Sequence, residues 1–397
     1  MRVLLRVCIL SAEAVLAALV AYLLGLTAAA WRTPKQTAMR FSAPSTRFLV
    51  LIPAHNEELL LPHTLASLQK LAYPQELFEV HVVADNCNDT SADVARAYGA
   101  IAHERFDLER RGKGHALNWA LERIQQQSIE YDALLILDAD TQVSPDFLSI
   151  MDARIARGER VIQGYYAVLL NNQSWSVGLR SAAFSVIHYL RPQARMLLGG
   201  SAGLKGNGMV FCREVAARYR WSNSLTEDIE FHMQLLLDGE RVTFAPDAVL
   251  WAEMPDRLEN AQSQNERWER GRMEMIKQYV PRLLSNAIKR RDVRLVDAAI
   301  EQLIPPFSIL AGLSVACAGL AVLLRSRLGI ILASFNLIGQ CFYTLSGLLL
   351  VKAPASVYRS LLFAPFFILW KLWIYLRLLL GMQPRHWIRT ARNQQER

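Results

Sequence analysis

Residues 134–141 read LLILDADT, an apolar stretch that ends in two carboxylates, Asp138 and Asp140, separated by one residue. Side chains alternate between faces in an extended chain, so both carboxylates should point the same way at the carboxyl end of a strand, where open α/β sheets bind ligands. Hard cations such as Mg²⁺ or Mn²⁺ bridge one or two carboxylates to a substrate diphosphate. The pair predicts a site for such a cation and a nucleotide-linked substrate, although an ordinary exit from strand into turn has the same pattern.

Apolar strands and amphipathic helices alternate on both sides of this stretch. The pattern predicts strands over residues 47–54, 78–84 and 131–138 and helices over residues 57–71, 90–98 and 113–127. Such a βαβ series produces parallel strands covered by helices, with the functional loops at the carboxyl ends of the strands. We therefore expect a Rossmann-like α/β domain.

Polar clusters follow the first two predicted strands. Residues 53–58 read PAHNEE and residues 85–90 read DNCNDT. Each has a local explanation, because Asn56 or Asn88 could cap a helix and Asp89 could serve a turn. Their coincidence with the pair at 138 and 140 favours three polar clusters that meet at one rim of the sheet.

A basic, glycine-containing loop precedes the helix predicted at 113–127. Residues 110–118 read RRGKGHALN, an arrangement that lets backbone and ammonium groups approach phosphates. The loop is not a Walker A sequence, and as a lone feature it would also fit a solvated turn.

The apolar residues are unevenly distributed along the 397-residue chain, 52% of which is hydrophobic. Four runs are long enough to cross a hydrocarbon core, which takes about 20 helical residues: residues 7–30, 303–324, 328–351 and 357–380. The first run could instead be a cleaved signal peptide, since Arg2 and Arg6 precede it. An uncleaved anchor is favoured because the run exceeds the usual apolar region of about 7–15 residues.

Charge predicts the orientation of the chain in the membrane. Arg32, Lys35, Arg40 and Arg47 follow the first run, which by the positive-inside bias places the central domain in the cytoplasm. We therefore predict a multi-pass protein of the inner (cytoplasmic) membrane. Four full spans would leave the arginine-rich tail outside, so the last run fits either a span or an interfacial segment.

The formal net charge of +8 does not indicate nucleic acid. The basic residues lie beside apolar runs, which favours contact with the headgroups of membrane lipids, and no nucleic-acid motif competes with this interpretation. The five cysteines are widely spaced and include no C-x-x-C pair, so we expect reduced thiols and no structural zinc.

Six motifs, in this order, resemble those of the membrane-bound family 2 glycosyltransferases with a GT-A catalytic domain. They are PAHNEE at 53–58, DNCNDT at 85–90, RGKGHALN at 111–118, DAD at 138–140, TED at 226–228 and QNERW at 264–268. The resemblance covers residues 47 to 285. The flanking apolar segments are similar to the cellulose, chitin and hyaluronan synthase branch, which shares the Q-x-x-R-W pattern.

The resemblance implies a role for each matching residue. The donor would be bound by Pro53, His55, Glu57, Asp85, Lys113 and Asp138. Asp140 would ligate Mg²⁺ or Mn²⁺. Catalysis would rest on Asp228 as the base, with Glu227, Gln264, Arg267 and Trp268 around it.

Two of these segments, and the glycine-rich stretch between them and the DAD motif, also have structural explanations. Ser224 to Glu227 fits the spacing of a capping box, so Glu227 could close a helix start. Gln264, Arg267 and Trp268 lie on one helical face, which would also fit an amphipathic helix resting on the membrane. Residues 198–211, LGGSAGLKGNGMVF, would form a loop against which an acceptor rests, and flexible packing explains them equally well.

The resemblance divides the chain into five parts. They are residues 1–31 as a transmembrane helix, 47–255 as a cytosolic GT-A domain, 256–300 as amphipathic interfacial helices, 301–381 as two or three membrane spans and 382–397 as a basic tail.

The implied activity is inverting, metal-dependent hexosyl transfer from a UDP-sugar to a lipid-linked or saccharide acceptor at the cytosolic membrane face. A processive β-polysaccharide synthase, acting as a homo-oligomer or with export partners, is the alternative. Against it, no F-x-V-T-x-K segment follows Trp268, and about four spans are few for a pore. A third hypothesis is an inactive scaffold that binds nucleotide or lipid.

Overall fold

An eight-stranded sheet forms the centre of the molecule in the computed structural model, which describes residues 2–33, 43–170 and 174–380. The strand order is β3-β2-β1-β4-β7-β6-β8-β5. In chain order the strands are β1 (Phe48–Ala54), β2 (Phe78–Asp85), β3 (Ile101–Arg105), β4 (Ala133–Ile136), β5 (Thr141–Val143), β6 (Val161–Val168), β7 (Met209–Cys212) and β8 (Val242–Ala252).

The first four strands form a parallel half-sheet. β1 pairs in parallel with β2 and β4, and β2 pairs in parallel with β3. A central parallel strand is buried on both faces, which explains why β1 reads FLVLIPA without a charged residue. β7 is antiparallel to β4 and β6, whereas β6 is parallel to β8. The predicted α/β class is confirmed.

Helices surround the sheet and continue into the apolar segments. In chain order they are α1 (Arg2–Arg32), α2 (Leu61–Leu68), α3 (Ser91–Ala97), α4 (Lys113–Gln126), α5 (Phe147–Ile155), α6 (Trp175–Phe184), α7 (Arg191–Leu197), α8 (Arg213–Arg218), α9 (Glu227–Leu237), α10 (Leu258–Arg290), α11 (Val293–Leu303), α12 (Phe307–Leu323), α13 (Arg327–Leu350), α14 (Ala355–Ser360) and α15 (Ala364–Leu379).

Each face of the sheet has its own hydrophobic core. Val50 and Ile52 of β1 belong to one cluster, with side chains of α2 and α5. Leu49 and Leu51, the alternate residues of the same strand, belong to the other, with side chains of α4, α8 and α9. The two clusters fix the sheet between two helical layers, so the loops at the carboxyl ends of its parallel strands meet at one rim.

The structure departs from the sequence-based elements at three places. The helix expected from residue 57 begins at Leu61, because the backbone N–H groups of Glu57 and Glu58 donate to Ser91 and Asp89 of the neighbouring loop. β3 was not expected, because its sequence IAHER has no continuous apolar face. β4 ends at Ile136, two residues before Asp138.

Three helices of the described residues are long and apolar enough to cross a membrane: Val3–Arg32, Arg327–Leu350 and Ala355–Arg377. A fourth candidate is the pair Val293–Leu303 and Phe307–Leu323, which is bent by 69°. The bend coincides with Pro305 and Pro306, as expected of residues that interrupt a helix. The basic tail expected at 382–397 lies outside the described residues.

Candidate active site

The loops after β1 and β2 are joined by direct hydrogen bonds. His55 Nδ1 lies 2.7 Å from the carbonyl oxygen of Asp85, and the backbone N–H of Asn88 donates to Asn56 Oδ1 over 2.8 Å. Pro53 is the next-to-last residue of β1 and lies opposite Val83 of β2. The expectation that Asn56 or Asn88 caps a helix is wrong, because the caps of α2 and α3 are Leu60 and Thr90.

Asp85 is held by an arginine that the sequence alone did not single out. Arg105 Nη1 donates to Asp85 Oδ1 over 2.5 Å, and both residues are buried. Asn86 Nδ2 donates to the same oxygen over 3.0 Å. Asp85 and Arg105 are register partners at the ends of β2 and β3. The contact between Asp85 and Arg105 therefore follows from the pairing of β2 with β3, and a sequence analysis that does not predict β3 cannot find it.

Asp138 lies beside a lysine and a glycine carbonyl that come from two distant parts of the chain. Lys113 Nζ donates to Asp138 Oδ1 over 2.5 Å and to the carbonyl oxygen of Gly206 over 2.6 Å. The backbone N–H of Asp138 donates to Oδ1 of the buried Asn207. Burial lowers the pKa of Lys113, but the carboxylates of Asp138 and Glu227 more than offset this and hold it above its ordinary value.

The prediction that Asp138 and Asp140 project from one extended strand is wrong, because β4 has already ended and both residues lie in the turn before β5. The turn is held against the far end of the sheet, where the backbone N–H of Glu253 donates to the carbonyl oxygen of Asp140 over 3.4 Å. Asn207 Nδ2 also donates to Thr141 Oγ1, at 2.7 Å.

Glu227 and Asp228 begin helix α9 and lie next to the same glycine loop. A β-carbon added to Gly206 would lie 3.3 Å from Asp228 Oδ2, so this carboxylate approaches the loop backbone closely. Burial raises the pKa of Glu227 to about 7, against the opposing effect of Lys113. Burial likewise raises the pKa of Asp228, again opposed by Lys113. Lys113 therefore lies among three carboxylates, one from the connection between β4 and β5 and two from the start of α9.

The capping-box explanation for Ser224 to Glu227 is wrong. The N-cap of α9 is Thr226, whose side chain makes no capping hydrogen bond, and Glu227 is the first helical residue. Ser224 Oγ instead lies 3.0 Å from Ser222 Oγ. The acids at this helix start are thus not explained by capping, although acidic residues there remain favoured by the helix dipole.

The segment before α9 packs closely on the start of α4. Asn118 Nδ2 donates to the carbonyl oxygen of Trp221, and the backbone N–H of Trp221 donates back to Asn118 Oδ1. A β-carbon on Gly114 would lie 1.9 Å from the carbonyl oxygen of Ser222. Only glycine allows this approach, which brings the RGKGHALN loop next to the TED segment.

We expect Gly114→Ala to lower the free energy of unfolding by about 1–3 kcal/mol, because the added methyl group would overlap a backbone atom that cannot rotate away. Thermal unfolding of the purified protein measures the change. The matched control is Gly319→Ala, where no atom lies within 4 Å of an added β-carbon. Equal melting temperatures for the two variants would contradict the close approach.

Helix α10 carries Gln264, Arg267 and Trp268, confirming that they lie on a helix. Its Gly271 packs against Thr226, with 2.6 Å from an added β-carbon to Thr226 Cγ2. The positive charge of Arg267 acts on Glu227. Trp268 packs on a hydrophobic cluster between β6, β8 and α6.

Three polar atoms in this region are buried without a hydrogen-bond partner in the described part of the chain. They are Thr226 Oγ1, Gln264 Oε1 and Arg267 Nε. Buried polar groups are normally paired, so an unpaired cluster indicates a place where another molecule completes the hydrogen bonds. Thr226 is the N-cap of α9 and Arg267 acts on Glu227, so at least two of the three atoms belong to residues near that helix start.

The donor set fits a cation that is shared with a substrate. Within residues 2–33, 43–170 and 174–380, no group of three His, Cys, Asp or Glu side chains could hold a metal ion alone. Mg²⁺ usually binds one or two carboxylates and takes its remaining ligands from water and substrate phosphates. Asp138 and Asp140 provide such a pair, with both side chains half-buried in one turn.

The structure brings the site residues of the sequence analysis into two groups. Lys113, Asp138, Glu227 and Asp228 surround Gly206, with the Arg267 helix beside them. His55, Glu57 and Asp85 lie at the ends of β1 and β2. The sequence analysis missed Arg105, Lys205 and Asn207. Of these, only Lys205 and Asn207 had a signal, since both belong to the glycine-rich segment.

The chain is similar in sequence to known glycosyltransferases. A family model described as glycosyltransferase like family 2 matches residues 44–271. The probable glycosyltransferase YdaM of Bacillus subtilis is 22% identical over 255 residues, which are 61% of this chain and 59% of that protein. The poly-β-1,6-N-acetyl-D-glucosamine synthase of Staphylococcus epidermidis is 27% identical over 233 residues, which are 57% of this chain and 54% of that protein. The chain thus spans little more than half the length of these relatives.

Solved structures of glycosyltransferases are also similar to this chain, with TM-scores below 0.5. The mannosyltransferase PcManGT from Pyrobaculum calidifontis, in complex with GDP-Man and Mn²⁺, covers 84% of this chain and 99% of its own, with a TM-score of 0.47 and 18% identity. S. aureus TarS 1-349, in complex with UDP-GlcNAc, covers 73% of this chain and 90% of its own, with a TM-score of 0.41 and 17% identity. Because the family model matches more than half of the chain, the protein belongs to glycosyltransferase family 2.

Proposed function

We propose that this glycosyltransferase moves a sugar from a UDP-sugar, with inversion at the anomeric carbon, to a lipid-linked or saccharide acceptor. The observation that carries the proposal is the convergence of Lys113, Asp138 and Asp228 on Gly206, from three separate segments of the chain. One side of this group offers carboxylates and an ammonium to a nucleotide diphosphate. The other offers the half-buried carboxylate of Asp228 as a base to an attacking hydroxyl.

The donor half of the site would lie at the ends of β1, β2 and β4. We assign the uridine to Glu57 and Asp85, with Pro53 and His55 shaping the same pocket. The contacts of Arg105 and Asn86 with Asp85 fix the direction of its carboxylate, which supports a role in reading the edge of a base. Asp138 would contact the ribose or a phosphate, and Lys113 would lie near the nucleotide.

Asp140, with Asp138 beside it, would hold Mg²⁺ or Mn²⁺ together with the donor phosphates. When bound, such a cation stabilises the negative charge of the departing diphosphate, so the leaving group needs no proton from the protein. The neighbouring cations Lys113 and Arg267 would add to this stabilisation from the chain itself.

Asp228 would act as the base. As the acceptor hydroxyl attacks the anomeric carbon, Asp228 takes its proton, and Glu227 beside it adds to the local negative charge. Burial raises the pKa of Asp228, which brings it closer to the operating pH and makes it a better proton acceptor. Gln264 and Arg267 would contact the diphosphate, and Trp268 would lie beneath the acceptor sugar, where an indole offers an apolar face.

The direct test is release of UDP by the purified protein in lipid nanodiscs. UDP-N-acetylglucosamine is the first donor to try, because the S. epidermidis relative is named as a synthase of an N-acetylglucosamine polymer. Metal-dependent UDP release is the expected result. A protein that binds UDP-sugars but releases no UDP with any of them would instead be the inactive scaffold.

Removal of divalent cations should abolish this activity. We expect excess EDTA to stop UDP release and added Mn²⁺ or Mg²⁺ to restore it, since the diphosphate would otherwise depart without charge stabilisation. Asp140→Asn should raise the cation concentration for half-maximal release by about tenfold or more. The matched control is Asp146→Asn, an exposed residue five positions beyond the β5 start. Full activity in EDTA would contradict the metal assignment.

A processive β-polysaccharide synthase is the second candidate. It is favoured because the S. epidermidis relative is named as a synthase of such a polymer. The two activities differ in their products. Radiolabelled sugar in a solvent-extractable lipid would indicate single transfer, whereas high-mass material sensitive to a polysaccharide hydrolase would indicate a polymer. A synthase would also need a path across the membrane, supplied by a homo-oligomer or an export partner.

We place the protein in the inner (cytoplasmic) membrane, with residues 47–255 as its cytosolic catalytic domain. The three candidate spans support a multi-pass arrangement. Residues 256–300 would lie along the membrane face. Lys371 of α15 supports a close connection between the two parts, since its Nζ lies 3.2 Å from Glu269 Oε1 on the QNERW helix. Cysteine labelling from either side of the membrane would test this orientation.

A further inference from the structure

A buried glutamate, Glu13 of α1, lies well inside the candidate span Val3–Arg32. In the part of the chain that the structure describes, no basic side chain pairs with it. Arg6, about two turns earlier on α1, donates instead to the carbonyl oxygen of Leu324. A carboxylate without a counter-charge is costly inside a membrane, so such a residue usually belongs to a functional site.

Asn336 of α13 contacts one side of the Glu13 carboxylate. Its Nδ2 donates to Glu13 Oε2 over 2.6 Å, and both residues are fully buried. A carboxylate accepts hydrogen bonds and donates none, so the amide nitrogen faces it and the amide oxygen points elsewhere. Gln340 lies one turn further along the same face of α13. Its Nε2 donates to Ser314 Oγ of α12 over 2.8 Å. Both amides therefore use their nitrogens in contacts between helices.

Three oxygens of this cluster are buried without a hydrogen-bond partner among the described residues: Glu13 Oε1, Asn336 Oδ1 and Gln340 Oε1. Helix α12 borders the cluster through Ser314 and through Cys317, which interacts electrostatically with Glu13. All three unpaired atoms are acceptors, so the missing partner is a donor or a cation. A proton on Glu13 would pair Oε1 with one amide oxygen at most. A single cation can take all three oxygens as ligands.

We propose that α1 and α13 bind a monovalent alkali cation, Na⁺ or K⁺, through side-chain oxygens of Glu13, Asn336 and Gln340. Membrane proteins bind both ions through carbonyl oxygens that replace the hydration shell. A single positive charge neutralises the one carboxylate, whereas a divalent ion would leave a net charge inside the membrane. This site lies apart from the sugar-transfer residues, and its occupancy does not depend on the proposed activity.

The cation would strengthen a contact that also supports the catalytic part of the chain. Gly339 of α13 packs against α1, with 2.5 Å from an added β-carbon to Val20 Cγ1. Further along the same two helices, Tyr22 Oη donates to Asp297 of α11, and Tyr343 Oη accepts from Arg191 of α7. Without the cation, three buried oxygens between α1 and α13 are unpaired, which weakens this contact. Cation binding should therefore stabilise the folded protein.

The melting temperature in different salts tests the site. The purified protein in lipid nanodiscs is unfolded in NaCl, in KCl and in choline chloride at equal ionic strength, because choline is too large for a buried site. A ligand that binds only the folded state raises the melting temperature. We expect a rise of about 2 °C or more in NaCl or KCl over choline chloride at saturating concentration.

Glu13→Gln should remove this rise. Glutamine has nearly the same shape as glutamate and can still accept from Asn336, so the fold should persist. Gln340→Leu leaves the carboxylate in place and should raise the cation concentration for half of the rise about tenfold, because one neutral oxygen ligand is lost. The matched control is Thr27→Val, which should keep the rise. Thr27 is buried in the same helix but donates to the carbonyl oxygen of Leu23 within that helix.

Two results would overturn the proposal. Equal melting temperatures of the wild-type protein in the three salts would show that no alkali cation binds and that a proton neutralises Glu13. A rise that persists in Glu13→Gln would show that the cation acts elsewhere on the protein. Neither result bears on UDP release, so the cation site and the proposed function can fail separately.

Discussion

We expect Asp228→Asn to reduce sugar transfer by roughly 10²–10⁴-fold, the range over which a positioned general base contributes to catalysis. The carboxylate lies at the start of α9, next to Gly206. Asparagine has nearly the same shape and can still accept hydrogen bonds from the backbone there, so the fold should persist. It cannot accept the proton of the attacking hydroxyl. The measurement is the initial rate of transfer, with the melting temperature as the check on folding.

Two further variants test whether the loss of transfer rate is specific to Asp228. Asp247→Asn changes an exposed aspartate of β8 and should leave the rate unchanged. Glu227→Gln changes the carboxylate next to Asp228 and should cost less than Asp228→Asn if Asp228 is the base. Substantial turnover by Asp228→Asn would refute the base assignment, and a larger loss for Glu227→Gln would transfer it to that residue.

The sequence was a good guide to the elements whose burial is uniform. β1 and β4 read as continuous apolar runs because both faces of a central parallel strand are covered. The helix at Lys113 was found because a glycine loop precedes a regular apolar stripe. The order of the six motifs then led to the correct family.

Edge and turn geometry was predicted less well. β3 is short and its two buried residues, His103 and Arg105, are polar, so its sequence has no strong strand signal, and Arg105 was missed with it. The two aspartates of DAD were expected to alternate along a strand, yet the extended backbone stops at Ile136. Local pattern also favoured a capping box with Ser224 as the N-cap, whereas the N-cap is Thr226 and the helix begins at Glu227.

Long-range contacts could not be read from the sequence. Lys113 reaches Asp138 across 25 positions and Gly206 across 93 positions. No spacing rule connects these residues, because their approach depends on how β7 is inserted between β4 and β6. The insertion is also what gives Lys205 and Asn207 their places beside the acids. The individual motifs were therefore visible in the sequence, but their electrostatic coupling was not.

Lys113→Met is expected to lower kcat/KM by about 10²-fold at pH 7, as when one preorganised electrostatic group is removed from an active site. The lysine opposes the effect of burial on Glu227 and Asp228, so its loss should raise the pKa of both acids further. A larger share of the base is then protonated at pH 7, and the acid limb of the pH profile of kcat/KM moves to higher pH. Part of the lost activity should accordingly return at alkaline pH.

Lys113→Arg keeps the charge and should keep the acid limb of the pH profile at the same pH. Lys70→Met, at an exposed lysine, serves as the matched control. An unchanged pH profile in Lys113→Met would show that Lys113 does not control the ionisation of the acids beside it.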